Sequence, residues 1–332
     1  MRIRPDSPTR RRSLLLGGAG LATLSVSGLA RADDAWPSRP IRFVVGYPPG
    51  GSTDQMGRVI SEAMGRQLRA NCVVENLGGA SGTIAAQKVI AAAPDGYTLL
   101  AAASNELVGT RHAQAGQRYD SRKDLLPIGF VSWAPMVIVA GPKTGVKSIA
   151  ELIALARQSP GRYSYGSSGV GSSLHFAGEL LKQRGDFAIT HVPYRGVAPL
   201  ANDLVGGDLD FAVMSPTSAV PFIKEGRIVA LGVTGPTRIP SLPEVPAIAE
   251  TAGLAGFELA SWYAIMAPLG LPESIRARLH AALKGALADA VVIRTLEGAA
   301  QQLGSGDEDV AKILNDEDAK YARVAEAARM KE

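Results

Sequence analysis

Short apolar runs alternate with amphipathic stretches along most of the chain. Residues 41–45 are apolar except at Arg42, as expected of a strand buried over most of both faces. A Pro/Gly loop follows. Residues 54–69 then predict a helix, because Met56, Val59, Ile60, Ala63, Met64 and Leu68 fall on one face at a 3.6-residue period. Further strands are predicted at 72–75, 98–103, 128–131, 136–140, 189–192, 210–214 and 228–234. Further helices are predicted at 81–93, 148–157, 172–184, 197–206, 216–225 and 272–289. Ser148-Ile149-Ala150-Glu151 reads as a capping box opening one of these helices. The charged tail after Gly306 reads as a terminal helix. This βαβ alternation predicts an α/β fold of parallel sheets with helices on their faces. No internal repeat or low-complexity linker interrupts it. The stretch Pro135 to Pro142 and the Pro-rich stretch 236–246 predict crossovers between two lobes.

The first 32 residues follow a different pattern. Arg10, Arg11 and Arg12 precede an apolar, small-residue stretch from Leu14 to Leu29, and Ala30-Arg31-Ala32 offers an A-x-A cut. That is the layout of a signal peptide cleaved near Ala32, leaving a chain that begins at about Asp33 in the periplasm. Arg11-Arg12-Ser13-Leu14-Leu15 resembles the twin-arginine export pattern. The apolar stretch is shorter and weaker than the ~20 residues a membrane span needs.

Charge is reinterpreted once this segment is set apart. The whole chain carries 35 Lys+Arg against 31 Asp+Glu, but residues 1–32 hold six of the basic residues and only one acidic residue. The remainder is close to neutral, so the basic excess gives no argument for nucleic acid or an anionic membrane surface. About 300 residues can bury a large core, and that length fits two domains. The single cysteine, Cys72, permits no internal disulfide, and its place in Cys72-Val73-Val74 reads as a buried strand thiol.

In open α/β sheets, ligands bind beyond the carboxyl ends of strands. Three loops in such positions are rich in Gly and Ser: 47–54 (Tyr-Pro-Pro-Gly-Gly-Ser-Thr-Asp), 76–83 (Asn-Leu-Gly-Gly-Ala-Ser-Gly-Thr) and 166–173 (Gly-Ser-Ser-Gly-Val-Gly-Ser-Ser). Each runs from a strand into a helix, where backbone N–H groups and the helix dipole favour an anion. Few charges lie inside them, which points to a ligand held by amides and hydroxyls. The alternative for each is a capped βα turn with no ligand. Enzymatic patterns are weak. The stretch 141–148 has the wrong spacing for a phosphate loop, no G-x-S-x-G elbow is present, and Gly169-x-Gly171 lacks the third glycine of a dinucleotide fingerprint. The histidines at 112, 175, 191 and 280 are scattered. His175 and Glu179 are one turn apart, a spacing that serves packing far more often than a metal.

Several stretches together resemble the tripartite tricarboxylate transporter receptors, or Bug family of periplasmic binding proteins. They are Ile41–Val45 running into Tyr47–Asp54, Val74-Glu75-Asn76, Pro94-Asp95-Gly96-Tyr97-Thr98-Leu99, Tyr165–Ser172, His191-Val192-Pro193-Tyr194-Arg195-Gly196, and Leu242-Pro243-Glu244-Val245-Pro246. The similarity covers essentially the whole mature chain. One departure is Leu77–Gly82, where the family more often shows a proline and Gly-Ala-Gly-Gly.

The resemblance implies a two-lobed, type II-like periplasmic-binding-protein fold, each lobe a mainly parallel sheet flanked by helices, with a ligand cleft between. Residues 33–135 plus 260–332 would form one lobe and 136–259 the other. It implies a receptor without cofactor, metal or catalytic residues. Such a receptor captures a small carboxylate and hands it, as a monomer, to a two-component membrane permease. A periplasmic sensor serving a sensor kinase, or an enzyme on the same fold, is the alternative. Carried over residue by residue, ligand contacts fall on Tyr47, Gly50, Gly51, Ser52, Thr53 and Asp54, then on Gly79, Ala80, Ser81 and Gly82. The opposing lobe would offer Ser167, Ser168, Gly171, Ser172 and Ser173. Asn105 and Asp210 are added as residues near strand ends facing the cleft, where Asp210 would accept a ligand amine or hydroxyl or else cap a turn. Arg195 either braces the cleft or pairs on the surface.

Overall fold

The computed structural model describes residues 36–330, and the signal segment expected over residues 1–32 lies outside them. The chain first lays down β1 (Ile41–Val45), α1 (Ser52–Leu68), β2 (Cys72–Asn76), α2 (Thr83–Ile90) and β3 (Thr98–Ala103). The short helices α3 (Thr110–Ala113) and α4 (Ser121–Asp124) lead into β4 (Leu125–Ala134). Next come β5 (Val137–Ala140), α5 (Ile149–Gln158), β6 (Ser164–Ser167), α6 (Ser173–Gly185), β7 (Thr190–Pro193), α7 (Val197–Gly206), β8 (Phe211–Met214), α8 (Pro216–Lys224) and β9 (Val229–Val233). The chain returns with β10 (Ser261–Pro268), α9 (Glu273–Leu287), α10 (Ala290–Gly298), β11 (Gln302–Leu303) and α11 (Val310–Ala327).

These strands make two sheets, ordered β11-β4-β10-β3-β1-β2 and β7-β6-β8-β5-β9. The chain crosses from the first to the second through Pro135 and Met136, and returns through residues 234–260. Helices flank both sheets, so the α/β class holds, but the sheets are mixed rather than mainly parallel. β1 runs parallel to β2 and β3, whereas β10 is antiparallel to β3 and β4. Likewise β6 is parallel to β7 and β8, whereas β5 is antiparallel to β8 and β9. The parallel pairs are those joined through helices, as parallel geometry requires. β5 and β10 instead enter directly from the other sheet, and each meets its neighbours head to tail.

Local chemistry sets the element ends. Ser148 Oγ accepts from Glu151 N at 3.2 Å, and Glu151 Oε2 reaches back to Lys147 N at 2.7 Å, one residue before the position of a standard capping box. The helix expected over 81–93 starts at Thr83, because Ala80, Ser81 and Gly82 all have positive φ and cannot continue it. The helix expected over 272–289 ends at Leu287. Asp289 then caps α10, its side chain accepting from Val291 N and Val292 N. Cys72 is on a strand as expected, but β2 is a sheet edge and leaves the thiol half-buried, with burial pushing its pKa up to about 11. The first sheet centres on β10, whose eight residues are all buried. Trp262 packs there against Phe130 and Trp133 with ring centroids 6.4 Å away.

Candidate functional site

Gly46, the first residue after β1, is packed so that a Cβ would lie 2.6 Å from Gly82 Cα. The chain therefore turns close over the second loop before presenting Tyr47–Thr53 to a cavity of about 450 Å³. Asp54 fixes this loop from behind. Its Oδ2 accepts from Gly50 N at 2.9 Å and Arg58 Nε at 3.0 Å, while its Oδ1 accepts from Asn76 Nδ2 at 2.7 Å. Burial raises the Asp54 pKa, but these donors outweigh it and hold the carboxyl below its ordinary value.

Four helices begin at the cavity. Gly51, Ser52 and Thr53 open α1, Ser173 and Leu174 open α6, Arg195–Pro199 lead into α7, and Ser215 and Pro216 open α8. Three of these starts, at Gly51, Gly196 and Ser215, have no side-chain cap. The first-turn N–H groups of a helix lack intrahelical partners and carry the positive end of its dipole. At the fourth start, Ser173 Oγ is buried and has no hydrogen-bond partner. Among the lining residues the sole charged side chain is Arg195, which makes no ion pair among the described residues. Apolar and small residues, including Pro48, Pro135, Met136, Val197, Ala198 and Phe222, complete the walls. Ser52 Oγ stands 3.3 Å from Thr217 Oγ1, linking a residue between β1 and β2 to one between β8 and β9.

A buried polar network underlies Tyr47. The Tyr47 phenol oxygen lies 3.0 Å from Ser81 O and 3.0 Å from Glu106 Oε2, and accepts from Asn105 Nδ2 at 2.6 Å. Asn105 Oδ1 accepts from Ser173 N at 2.7 Å, tying this network to the start of α6. Glu106 is wholly buried in a π-helical turn, Asn105–Gly109. Burial pushes its carboxyl up to about 7, against backbone donors at Ala103 and Glu106 and the Tyr47 hydroxyl.

Among the residues read from the sequence as ligand-binding, Tyr47, Gly50, Gly51, Ser52, Thr53, Asn105, Ser168 and Ser173 line the cavity. The others do not, and most of them have a visible structural task. Asp54 braces the first loop. Gly79, Ala80, Ser81 and Gly82 sit behind Tyr47, with Ser81 Oγ donating to Val170 O at 2.9 Å. A Cβ on Gly82 would lie 2.6 Å from Glu106 Oε2. Ser167 Oγ is 2.7 Å from His191 Nε2, Gly171 packs on Thr110 Cα, and Ser172 caps α6 by accepting from His175 N at 3.2 Å. Asp210 lies at the opposite, amino end of β8, where Ser164 N and Oγ donate to it at 2.9 and 3.1 Å. Lining residues that the sequence reading left out include Ser215, Pro216 and Ser218 from the β8–α8 connection, Asn202 on α7, Gln301, and Tyr263 on β10. Ser215-Pro216 had the same strand-to-helix placement as the glycine loops, without their glycines. The Glu179 carboxylate, one turn from His175, accepts from Tyr165 Oη at 2.7 Å and from Lys182 Nζ at 2.8 Å, and no group of three His, Cys, Asp or Glu side chains placed to hold a metal occurs among the described residues.

The family model described as "Tripartite tricarboxylate transporter family receptor" matches residues 56–330. A protein of Pseudomonas sp. strain P51, described as a UPF0065 protein in the tcbD-tcbE intergenic region, is 40% identical over 293 residues, covering 88% of this chain and 87% of its own. Two solved structures superpose along nearly their whole length. An R. palustris protein with adipate is 32% identical with a TM-score of 0.83, covering 88% of this chain and 98% of its own. MatC from Rhodopseudomonas palustris with bound malate is 29% identical with a TM-score of 0.81, covering 87% and 100%.

Proposed function

Because the chain belongs to the tripartite tricarboxylate transporter receptor family, we propose that it captures a small carboxylate in this cleft and delivers it to a two-component membrane permease. The observation that carries the ligand class is the convergence of four helix starts on a cavity whose lining has one cation and no acid. Adipate and malate in the two R. palustris structures support the same class. The site residues of this reading are those that line the cavity: the first loop at one end, and Ser168, Ser173, Arg195 and the starts of α7 and α8 across from it. The loop at 79–82 acts through Tyr47. Export with removal of residues 1–32 places the receptor in the periplasm. No helix among the described residues is long and apolar enough to cross a membrane.

An enzymatic reading finds a Ser167–His191 pair, but both residues stand outside the cavity lining and Ser167 is fully buried. Burial, followed by the neighbouring His175, pushes His191 down to about 3, so it is a poor base near neutrality. The test is to purify the exported protein, identify the released ligand by mass spectrometry, and titrate adipate and malate calorimetrically. A co-purified carboxylate and saturable one-to-one binding are expected. A non-acidic ligand, with no heat from either acid, would overturn the assignment.

A further inference from the structure

We propose that Glu106 is held as the neutral acid, its Oε2 proton donated to Tyr47 Oη, and that this buried proton lets the cleft in front of it accept an anion. The ligand half of this inference rests on the carboxylate-receptor reading, and the proton half does not.

Asn105 Oδ1 must face the Ser173 N–H at 2.7 Å, which fixes the amide and directs Nδ2 at Tyr47 Oη. The Tyr47 oxygen is thus already an acceptor. It has one proton, yet two oxygens lie 3.0 Å away, Ser81 O and Glu106 Oε2. A carbonyl oxygen can only accept. If Glu106 Oε2 carries a proton, the Tyr47 hydroxyl donates to Ser81, Glu106 donates to Tyr47, and Glu106 Oε1 accepts from Ala103 N at 2.7 Å. Every group is then satisfied. If Glu106 is ionised, the phenol proton has to leave Ser81, and the Tyr47–Ser81 hydrogen bond between the first and second loops is lost.

The surroundings favour the same state. Glu106 has no exposed surface, and Gly82 leaves no room for the carboxyl to shift. The titratable groups acting on it are three tyrosines: Tyr47 from the β1–α1 loop, Tyr119 from the segment before α4, and Tyr263 on β10. Tyr119 Oη donates to the Glu106 backbone carbonyl at 2.6 Å. Burial keeps all three phenols neutral. No lysine, arginine or histidine contributes to the balance at Glu106. An ionised Glu106 would therefore be an uncompensated negative charge directly behind a loop that receives an anion. Glu106 is a positioning residue acting through Tyr47.

Two measurements test this, one of which needs no ligand. Glu106→Gln replaces the acid with a permanently neutral amide of the same shape, able to donate to Tyr47. A folded-state pKa raised from 4.5 to about 7 gives stability that is fully present below pH 4.5 and is lost as pH rises through 7. The thermal midpoint of the wild type, relative to Glu106→Gln, is therefore expected to fall between about pH 4.5 and 7. A constant difference over that range would overturn the proton assignment. The second measurement is adipate affinity from pH 6 to 9. The wild type is expected to weaken by about tenfold as one negative charge appears behind the loop, while Glu106→Gln stays flat. Parallel pH profiles would overturn the link to capture. If neither protein binds adipate or malate at any pH, the carboxylate reading fails while the stability comparison still decides the state of Glu106.

Discussion

Ser173 is the most telling single residue. A buried hydroxyl with no partner normally weakens a fold, yet this one stands at the head of α6 facing the cavity. Removing it therefore separates stability from binding. Ser173→Ala is expected to leave the ligand-free thermal midpoint unchanged or slightly higher, because no native hydrogen bond is lost. Carboxylate affinity should drop about tenfold, the scale of one hydrogen bond to a charged group. A stability loss with unchanged affinity would contradict this role. Gly82 gives the reverse signature. Alanine there must adopt φ near 92° and place its Cβ 2.6 Å from Glu106 Oε2, so Gly82→Ala should cost about 2 kcal/mol or more of stability by denaturant titration. Arg195 is exposed, and its attraction for an anion is screened. Its replacement by Gln is expected to weaken capture by about fivefold at low salt and less at high salt. Equal losses at both salt concentrations would point to packing rather than charge.

At the scale of elements, the sequence carried the strands and helices whose apolar periodicity is their own. β1 and α1 were legible because β1 is apolar and buried at every position but Arg42 and α1 buries a single face. β6 was implied only by the loop that follows it and received no range, since Ser-Tyr-Gly-Ser has no apolar pattern and is ordered by pairing between β7 and β8. The site followed the same division. Glycine-marked helix starts were visible as possible anion sites, but the starts of α7 and α8 could be recognised only once the second sheet brought their strand ends to one cavity. Asp210 misled the sequence reading because proximity to a strand end does not say which end faces the cleft. The Ser167–Ser173 turn has its own hidden support: His175 and His191 stack with ring centroids 3.8 Å apart, and His191 sits 4.9 Å from the Tyr165 ring. Burial pushes both histidines below their ordinary 6.5, to about 4 for His175 and about 3 for His191. Groups depressed in the folded state bind fewer protons there than when unfolded. Their contribution is thus present above pH 6.5 and is lost as pH falls toward 3. Glu106 acts in the opposite direction over part of this range, so the comparison must be between proteins. His191→Gln is expected to show a shallower fall in thermal midpoint from pH 6.5 to 4 than the wild type. Identical slopes would remove the histidine stack from the acid response.

For the whole molecule, the cavity is built jointly by residues of the two sheets' loops, and the chain crosses between the sheets twice. Hydrogen bonds join the two sheets' loops at Ser52–Thr217, Ser81–Val170 and Asn105–Ser173. A ligand that bridges the same elements should favour this arrangement, stabilise it by mass action by ~2.7 kcal/mol at a hundredfold excess over its dissociation constant, and so raise the thermal midpoint. The central claim is that four helix starts and one arginine select a carboxylate. It is tested most directly by calorimetric titration of the mature protein with adipate and, in parallel, with its neutral diamide of the same length. Saturable adipate binding at least about a hundredfold tighter than diamide binding is the result this account predicts. Equal affinity for the two, or preference for the diamide, would contradict it.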